Sequence, residues 1–320
     1  MKIGVGVPRG EFQEILAYAK AAEKLGFDLI ATPDHTFIES EALTTLTALA
    51  TETKRTGLCT CVLDLNRRNP ADVAHATATL DRISRGRLFL GVGKGVWNEA
   101  AYGTPVDRPV SRMREALEVL RRFWTEEEVD FRGEFFTFPH AKVEARTLQK
   151  PHPPIWVAAF GPRMFRIAAE LGDGMITQNT TPELFGKELA ETRKWVKKAG
   201  RDTSAFASVY APNPVAVSTD HDQAFASIEQ TARGFLARHP DPMARELGYK
   251  STWRRPEDVP EEAIDRCYIY GTPDDCTAKI ERYERAGATH FIAVYLLPQG
   301  LPSLRLFAEK VLPHFSEKRE

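Results

Sequence analysis

Several short segments of this chain bring together residue types that can do chemistry. Asp34-His35 joins a carboxylate to an imidazole that titrates near neutral pH, a pair suited to orienting a substrate or to proton transfer. The same two residues are equally consistent with a helix cap and an exposed histidine. Gly91-Val92-Gly93-Lys94-Gly95 sets glycines at alternate positions. That pattern permits positive φ and lets backbone N–H groups approach a planar or anionic ligand closely. A plain strand-to-helix turn would use the same residues, and the Gly-x-Gly-x-x-Gly spacing of a dinucleotide site is absent. Ala159-Phe160-Gly161-Pro162 leads into a helix whose free N–H groups, with Arg163 at its mouth, suit a phosphate, although a capped turn reads the same way. Cys61-Val62-Leu63-Asp64 and Gln178-Asn179 close two further strands.

Other chemistries find less support. Cys59 and Cys61 are two apart on a strand and share a face, but no Cys/His partner pair lies nearby at metal-ligand spacing, so packing explains them. No Ser-His-Asp set or carboxylate pair stands out, and no metal is expected. Lys plus Arg (43) nearly cancels Asp plus Glu (44), and the net charge of -1 gives no global attraction to nucleic acid or anionic lipid. The four cysteines are too sparse for a disulfide framework, the chain opens on a strand-like Ile3 to Val7 with no signal pattern, and no apolar run approaches the ~20 residues of a membrane span. These features together predict a cytoplasmic protein with reduced thiols.

The elements that must position these residues alternate between short apolar strands and amphipathic helices, the mark of a parallel α/β fold. A helix over Glu11–Leu25 stacks Phe12, Ile15, Leu16, Ala19 and Ala22 on one face before Gly26 stops it. Strands are expected at Phe27–Ala31 and Leu58–Leu63, with a helix over Glu41–Thr53 between them. Asn69 caps the next helix, Pro70 opens it and Asp72 complements its dipole; Val73, Ala76, Leu80 and Ile83 form its apolar face. Strand Arg87–Val92 feeds the glycine loop, and Arg112–Thr125 is helical. Asp130–Leu148 breaks the rhythm as an insertion. Ile155–Ala159, Gly174–Thr177 and Phe206–Val217 read as strands, with helices over Arg163–Leu171 and Glu183–Ala199. A longer insertion spans about His221–Arg266, and the chain ends on helix Asp274–Ala286, strand His290–Val294 and helix Ser303–Phe315. About eight βα units without a linker predict one (βα)8 TIM barrel domain over residues 1–320, whose functional residues sit at the C-terminal ends of the strands.

Taken together, Arg68-Asn69-Pro70-Ala71, Ala78 to Arg87, Leu90 to Gly95, Pro154 to Met164 with Gly172-Asp173-Gly174, and Gly271 to Asp275 resemble the bacterial luciferase-like superfamily. The resemblance spans nearly the whole chain in the right order, and it is nearest to coenzyme F420-dependent enzymes of the methylene-tetrahydromethanopterin reductase type. It implies an oxidoreductase that moves a hydride between the deazaflavin and an organic substrate, with FMN-dependent monooxygenation and a non-catalytic ligand-binding barrel as alternatives. It implies that the cofactor ring lies against Cys61-Val62 at the end of strand three, near Asp64, and that this peptide is a non-proline cis bond. Asp34 and His35 match the Asp-His that flanks the ring, with His35 the group handling the proton. Gly93, Lys94 and Gly95 match ring-side contacts, and Ala158, Ala159, Phe160, Gly161 and Arg163 the phosphate side. Relatives are commonly dimers or tetramers, so a homo-oligomer, a homodimer first, with a small-molecule substrate is expected.

The chain departs from the reductases in two places. They carry an acidic residue near the end of strand one, where Gly6 stands, and another just after the glycine loop, where Val96 stands. Both would protonate a pterin nitrogen, so a pterin substrate is not implied; Glu99 is the nearest replacement.

Overall fold

A computed structural model describes residues 1–35, 40–95, 107–237, 241–249 and 253–316. Its barrel strands are β1 (Lys2–Gly6), β2 (Leu29–Thr32), β3 (Gly57–Asp64) and β4 (Leu88–Gly93). An antiparallel hairpin, β5 (Val129–Arg132) and β6 (Thr137–Ala141), fills the first insertion. The barrel continues with β7 (Ile155–Ala158), β8 (Gly174–Thr177) and β9 (Ala207–Tyr210), and after β10 (Val215–Val217) and β11 (Tyr270–Gly271) it finishes with β12 (His290–Ala293). The eight barrel strands close in the order β1-β12-β9-β8-β7-β4-β3-β2, the (βα)8 architecture expected from the sequence. By packing, the chain divides into two compact units, Met1–Ile30 with Thr177–Lys194 and Ala207–Glu320, and Ala31–Ile176 with Trp195–Phe206.

In the first unit, β12 runs parallel to both β1 and β9, with Ile3 opposite Phe291 and Val209 opposite His290. Tyr210 stacks on Tyr283 at 3.7 Å between ring centres, and each buried hydroxyl donates to a backbone carbonyl, of Cys267 and Thr180 respectively. Buried aromatics are tolerated here because their polar ends are satisfied. The segment read as one strand over Phe206–Val217 is in fact two. β9 belongs to the barrel, whereas β10 pairs in parallel with β11 and with β13 (Leu296–Leu297) in a separate sheet. A cis Asn213-Pro214 peptide lies between them. An apolar run reports burial and carries no mark of a change of sheet. Helices α7 (His221–Leu236) and α9 (Glu261–Cys267), from the second insertion, close over that sheet around Ile228, Trp253, Ile264 and Tyr270.

Glu188, on α6 (Pro182–Lys198), is the clearest pH-sensitive group of this unit. Burial pushes its carboxyl up to about 7 from an ordinary 4.5. Between those values the folded chain holds a proton that the unfolded chain has released, so stability falls as pH rises through this window and is lowest above it. Glu188→Gln is therefore expected to gain about 1–2 kcal/mol over the parent at pH 8, after allowance for partial exposure, and nothing at pH 4. Urea denaturation at the two pH values checks this, and equal gains at both would contradict it.

In the second unit, β4 lies between β3 and β7, and Leu90 is in register with Thr60 and with Ile155. Helix α3 (Pro70–Ile83) begins as its sequence dictates: the Asn69 side chain accepts from the Ala71 N–H, and Pro70 occupies the first turn. Its buried face differs from the expected one. Val73, Thr77, Leu80 and Asp81 are buried, while Ala76 is exposed and Ile83 is 39% exposed. Two polar residues can sit inside because their partners are present. The Thr77 hydroxyl donates to the Val73 carbonyl, and Asp81 accepts from the Leu148 and Gln149 N–H groups and from the Gln149 side chain. Asp81 thereby anchors the end of the first insertion to the barrel.

Candidate cofactor site at the strand ends of the second unit

The strand-end residues singled out by sequence from Asp34 to Arg163 all belong to this second unit. The glycine loop uses its glycines in two different ways. Gly95 adopts φ +71 and turns the chain. Gly91 and Gly93 instead permit close approach. A Cβ on Gly91 would lie 2.0 Å from the Thr60 carbonyl oxygen of β3, and one on Gly93 would lie 2.7 Å from a Val62 methyl. Strand β3 is drawn this close because the Thr60 hydroxyl donates 2.6 Å to the Gly91 carbonyl.

Just beyond Thr60 the pairing of β3 with β4 shifts register before Leu63, and the Cys61-Val62 peptide is cis, as the resemblance implied. Cys61 and Val62 are half-buried, flanked by fully buried Thr60 and Leu63, so the displaced pair forms an accessible apolar step beside Gly93 and Ala158. Burial pushes the Cys61 thiol up to about 12 from 9.0, so it stays neutral and presents sulfur without charge.

Asp34, at the end of β2, is almost wholly buried and fully engaged. One carboxylate oxygen accepts from the Asp64 N–H at 3.0 Å and lies 3.4 Å from Arg67; the other accepts from Arg68 at 2.8 Å. Arg67 also holds Asp64 at 2.9 Å, while burial pushes the Asp64 carboxyl above its ordinary range. Helix α2 (Ala42–Glu52) is capped by Glu41 and not by Asp34, and His35 is half-buried beside that network. The Asn66 side-chain amide donates to the carbonyls of Lys94 (2.7 Å) and Pro109 (3.1 Å), fixing the exit of the glycine loop. Arg67, Asn66 and Glu41 were not singled out from the sequence. The signal was present in Arg67 and Arg68 shortly after Asp64, but which acid each would meet depends on how strands pair.

On the far side, Ala159 donates to the Ile176 carbonyl. Gly161 then opens α5 (Pro162–Leu171) at φ +82 with no side-chain cap, and a Cβ there would meet nothing within 4 Å. Phe160 is 43% exposed, and the Arg163 guanidinium donates 3.3 Å to the Ser111 hydroxyl at the start of α4 (Pro109–Thr125). Lys94 is half-buried, its ammonium 3.4 Å from the Gly95 carbonyl. Pro162 has no N–H and those of Met164 and Phe165 donate to the Gly161 carbonyl, so the Arg163 N–H, its guanidinium at the mouth and the open space are what the start of α5 offers an anionic group. Among the described residues no cluster of three or more His, Cys, Asp or Glu could hold a metal ion. Val96 and Glu99 lie outside the described residues.

A family profile for luciferase-like monooxygenases matches residues 1–290. The chain belongs to the luciferase-like family. Within that family it is 31% identical to the 5,10-methylenetetrahydromethanopterin reductase of Archaeoglobus fulgidus, over 98% of this chain and 99% of the relative. It is 29% identical to an F420-dependent glucose-6-phosphate dehydrogenase of Amycolatopsis mediterranei, over 98% of both chains. The coenzyme F420-dependent tetrahydromethanopterin reductase from Methanopyrus kandleri superposes with a TM-score of 0.86, covering 98% of this luciferase-like chain and 100% of the other, and its 24% identity speaks to the fold alone.

The step at Cys61-Val62 gives a direct expectation. Gly93→Ala would drive a methyl into the β-branched Val62, whose χ1 has little freedom to yield. Affinity for a ring packed on that step is expected to fall roughly tenfold, or about 1.4 kcal/mol. Titrating cofactor into the variant and the parent checks this; unchanged affinity would place the ring elsewhere.

Proposed function

We infer that this chain is an oxidoreductase that uses coenzyme F420 and acts on a small organic substrate. The observation that carries the reading is the half-buried Cys61-Val62 step beside the side-chain-free Gly93, at the strand ends of a chain matched end to end by relatives named for F420. The residues present fit such a group. Cys61 and Val62 offer a neutral apolar bed for the ring, Gly93 lets Val62 pack close beside it, Gly95 turns the chain there, and Lys94 places a cation at its edge. Gly161 and the Arg163 backbone N–H behind it, with Ala158, Ala159, Phe160 and the Arg163 guanidinium around them, suit the phosphate. When bound, F420 accepts or gives up a hydride at its C5 carbon, and the chain supplies orientation and a dry surface. His35 is the proton-handling group of this reading. Asp34, with both oxygens already engaged, acts on it by position. A single catalytic domain over 1–320, a homodimer and a cytoplasmic location belong to the same proposal; among the described residues, no helix is long and apolar enough to cross a membrane.

The substrate is not carried over from the relatives, whose names point to two different ones, a reduced pterin and a sugar phosphate. A Cβ at Gly6 would lie 2.0 Å from the Val294 carbonyl oxygen, which bars any side chain, acidic or otherwise, at that position. The second reading, an FMN-dependent monooxygenase, is favoured by the family profile's own description. Fluorescence titration separates the two. Saturable quenching of F420 with FMN lost during purification supports the first; tight FMN retention with no F420 quenching overturns it.

A further inference from the structure

Five arginines lie on or beside the first two turns of α4 and α5, and their partners divide them into two groups. Arg108 pairs with Glu134 and Asp107, Arg114 with Glu118 and Glu170, and Arg166 with Glu170. Arg112 and Arg163 meet no carboxylate among the described residues. The exposed Arg163 guanidinium donates 3.3 Å to the Ser111 hydroxyl, which sets the start of α5 against that of α4. Arg112 is the next residue. Its Nε donates to the Asn66 carbonyl at 3.4 Å, and its guanidinium carbon stands 4.4 Å from the centre of the Phe136 ring. The two terminal nitrogens have no acceptor among the described residues, and the first turn of α4 holds no acid to pair with them. A guanidinium stacked in this way keeps its donors in one plane, so it loses little freedom on meeting a carboxylate.

We propose that Arg112 and Arg163 form a carboxylate track for the part of coenzyme F420 that continues past its phosphate. The proposal rests on the F420 reading, with the phosphate at the start of α5. That phosphate is a diester, so the cofactor does not end there. It carries a lactyl group and then a run of γ-linked glutamates, each of which adds a negative charge. A tail leaving the start of α5 meets Arg163 first, and the Arg163–Ser111 contact makes Arg112 the next cation along it. FMN ends at its phosphate and has nothing to offer such a track. The two arginines therefore favour F420 by charge outside the ring, independently of the bed on Cys61 and Val62.

The experiment titrates the full chain, by fluorescence quenching, with two forms of the cofactor: one carrying several glutamates, the other ending at the lactyl group. At low salt the parent is expected to hold the glutamylated form about three- to fivefold more tightly, the upper end for half-exposed ion pairs. The difference shrinks as salt rises, because the pairs are open to solvent. Arg112→Met keeps an apolar stem over Phe136 and removes the charge, and there the difference is expected to fall below about twofold. Arg112→Lys, a point charge without the planar fork, recovers part of it. Equal affinities for the two forms in the parent, or an undiminished difference in Arg112→Met, overturns the track. Should Arg112→Met fail to fold, the parent comparison and its salt series still decide. The reading beneath fails differently: a chain that quenches neither form has no F420 site.

Discussion

His35→Asn is expected to lower the rate of F420-linked turnover by roughly 10²–10⁴-fold, the usual contribution of one general acid or base. The imidazole follows directly after Asp34, whose carboxylate is fixed by Asp64, Arg67 and Arg68, so its backbone is anchored at a defined point before any substrate arrives. Asparagine keeps hydrogen-bonding capacity and comparable size, and removes only the capacity to exchange a proton near neutral pH. The proposed cofactor bed on Cys61, Val62 and Gly93 is untouched. Affinity for F420, read by fluorescence quenching, is therefore expected to stay within about threefold while turnover collapses; in free-energy terms that is under about 0.7 kcal/mol. Turnover within threefold of the parent, with any substrate a screening panel yields, would remove His35 from the chemistry.

The second large effect is on the folded state. Gly91→Ala would set a methyl 2.0 Å from the Thr60 carbonyl oxygen, and the obstacle is backbone of the neighbouring barrel strand, so no rotamer change relieves it. The strands would have to separate, at the expense of the Thr60–Gly91 hydrogen bond and of the register around it. A loss of about 3 kcal/mol or more is expected, the upper end of overpacking costs. Gly234→Ala is the matched control, because a Cβ there meets nothing within 4 Å and the residue lies inside helix α7. That change should stabilise by about 0.5–1 kcal/mol. Urea midpoints measured side by side decide the matter, and a Gly91→Ala chain as stable as the parent would contradict the geometry.

The glycine loop shows what a sequence carries and what it withholds. The alternation of Gly91, Gly93 and Gly95 announces close approach or special φ, and the structure uses both: φ +71 at Gly95, a strand-to-strand contact at Gly91. Which glycine does which depends on a neighbour 31 residues away, and no local pattern encodes that. The same limit explains helix α3. Apolar residues alone predicted the face through Ala76 and Ile83, whereas the core takes Thr77 and Asp81, because the main chain at Leu148 and Gln149 brings donors to Asp81. The barrel itself was legible, since alternation of strand and helix is a property of period. The candidate site was proposed from residue types at Asp34-His35, Gly91 to Gly95 and Gly161 to Arg163, and from motif resemblance at Cys61-Val62. The Arg67, Arg68 and Glu41 network depended on tertiary pairing, and only its Arg68 stood within a recognisable segment.

The central claim is that the strand ends of β3, β4 and β7 hold a deazaflavin. A crystal of the protein soaked with F420 tests it most directly. The claim predicts the ring stacked on Cys61-Val62 with an edge over Gly93, and the phosphate at Gly161 within reach of Arg163. A ring bound with Cys61 and Val62 uncovered, or a phosphate placed away from the start of α5, would contradict it.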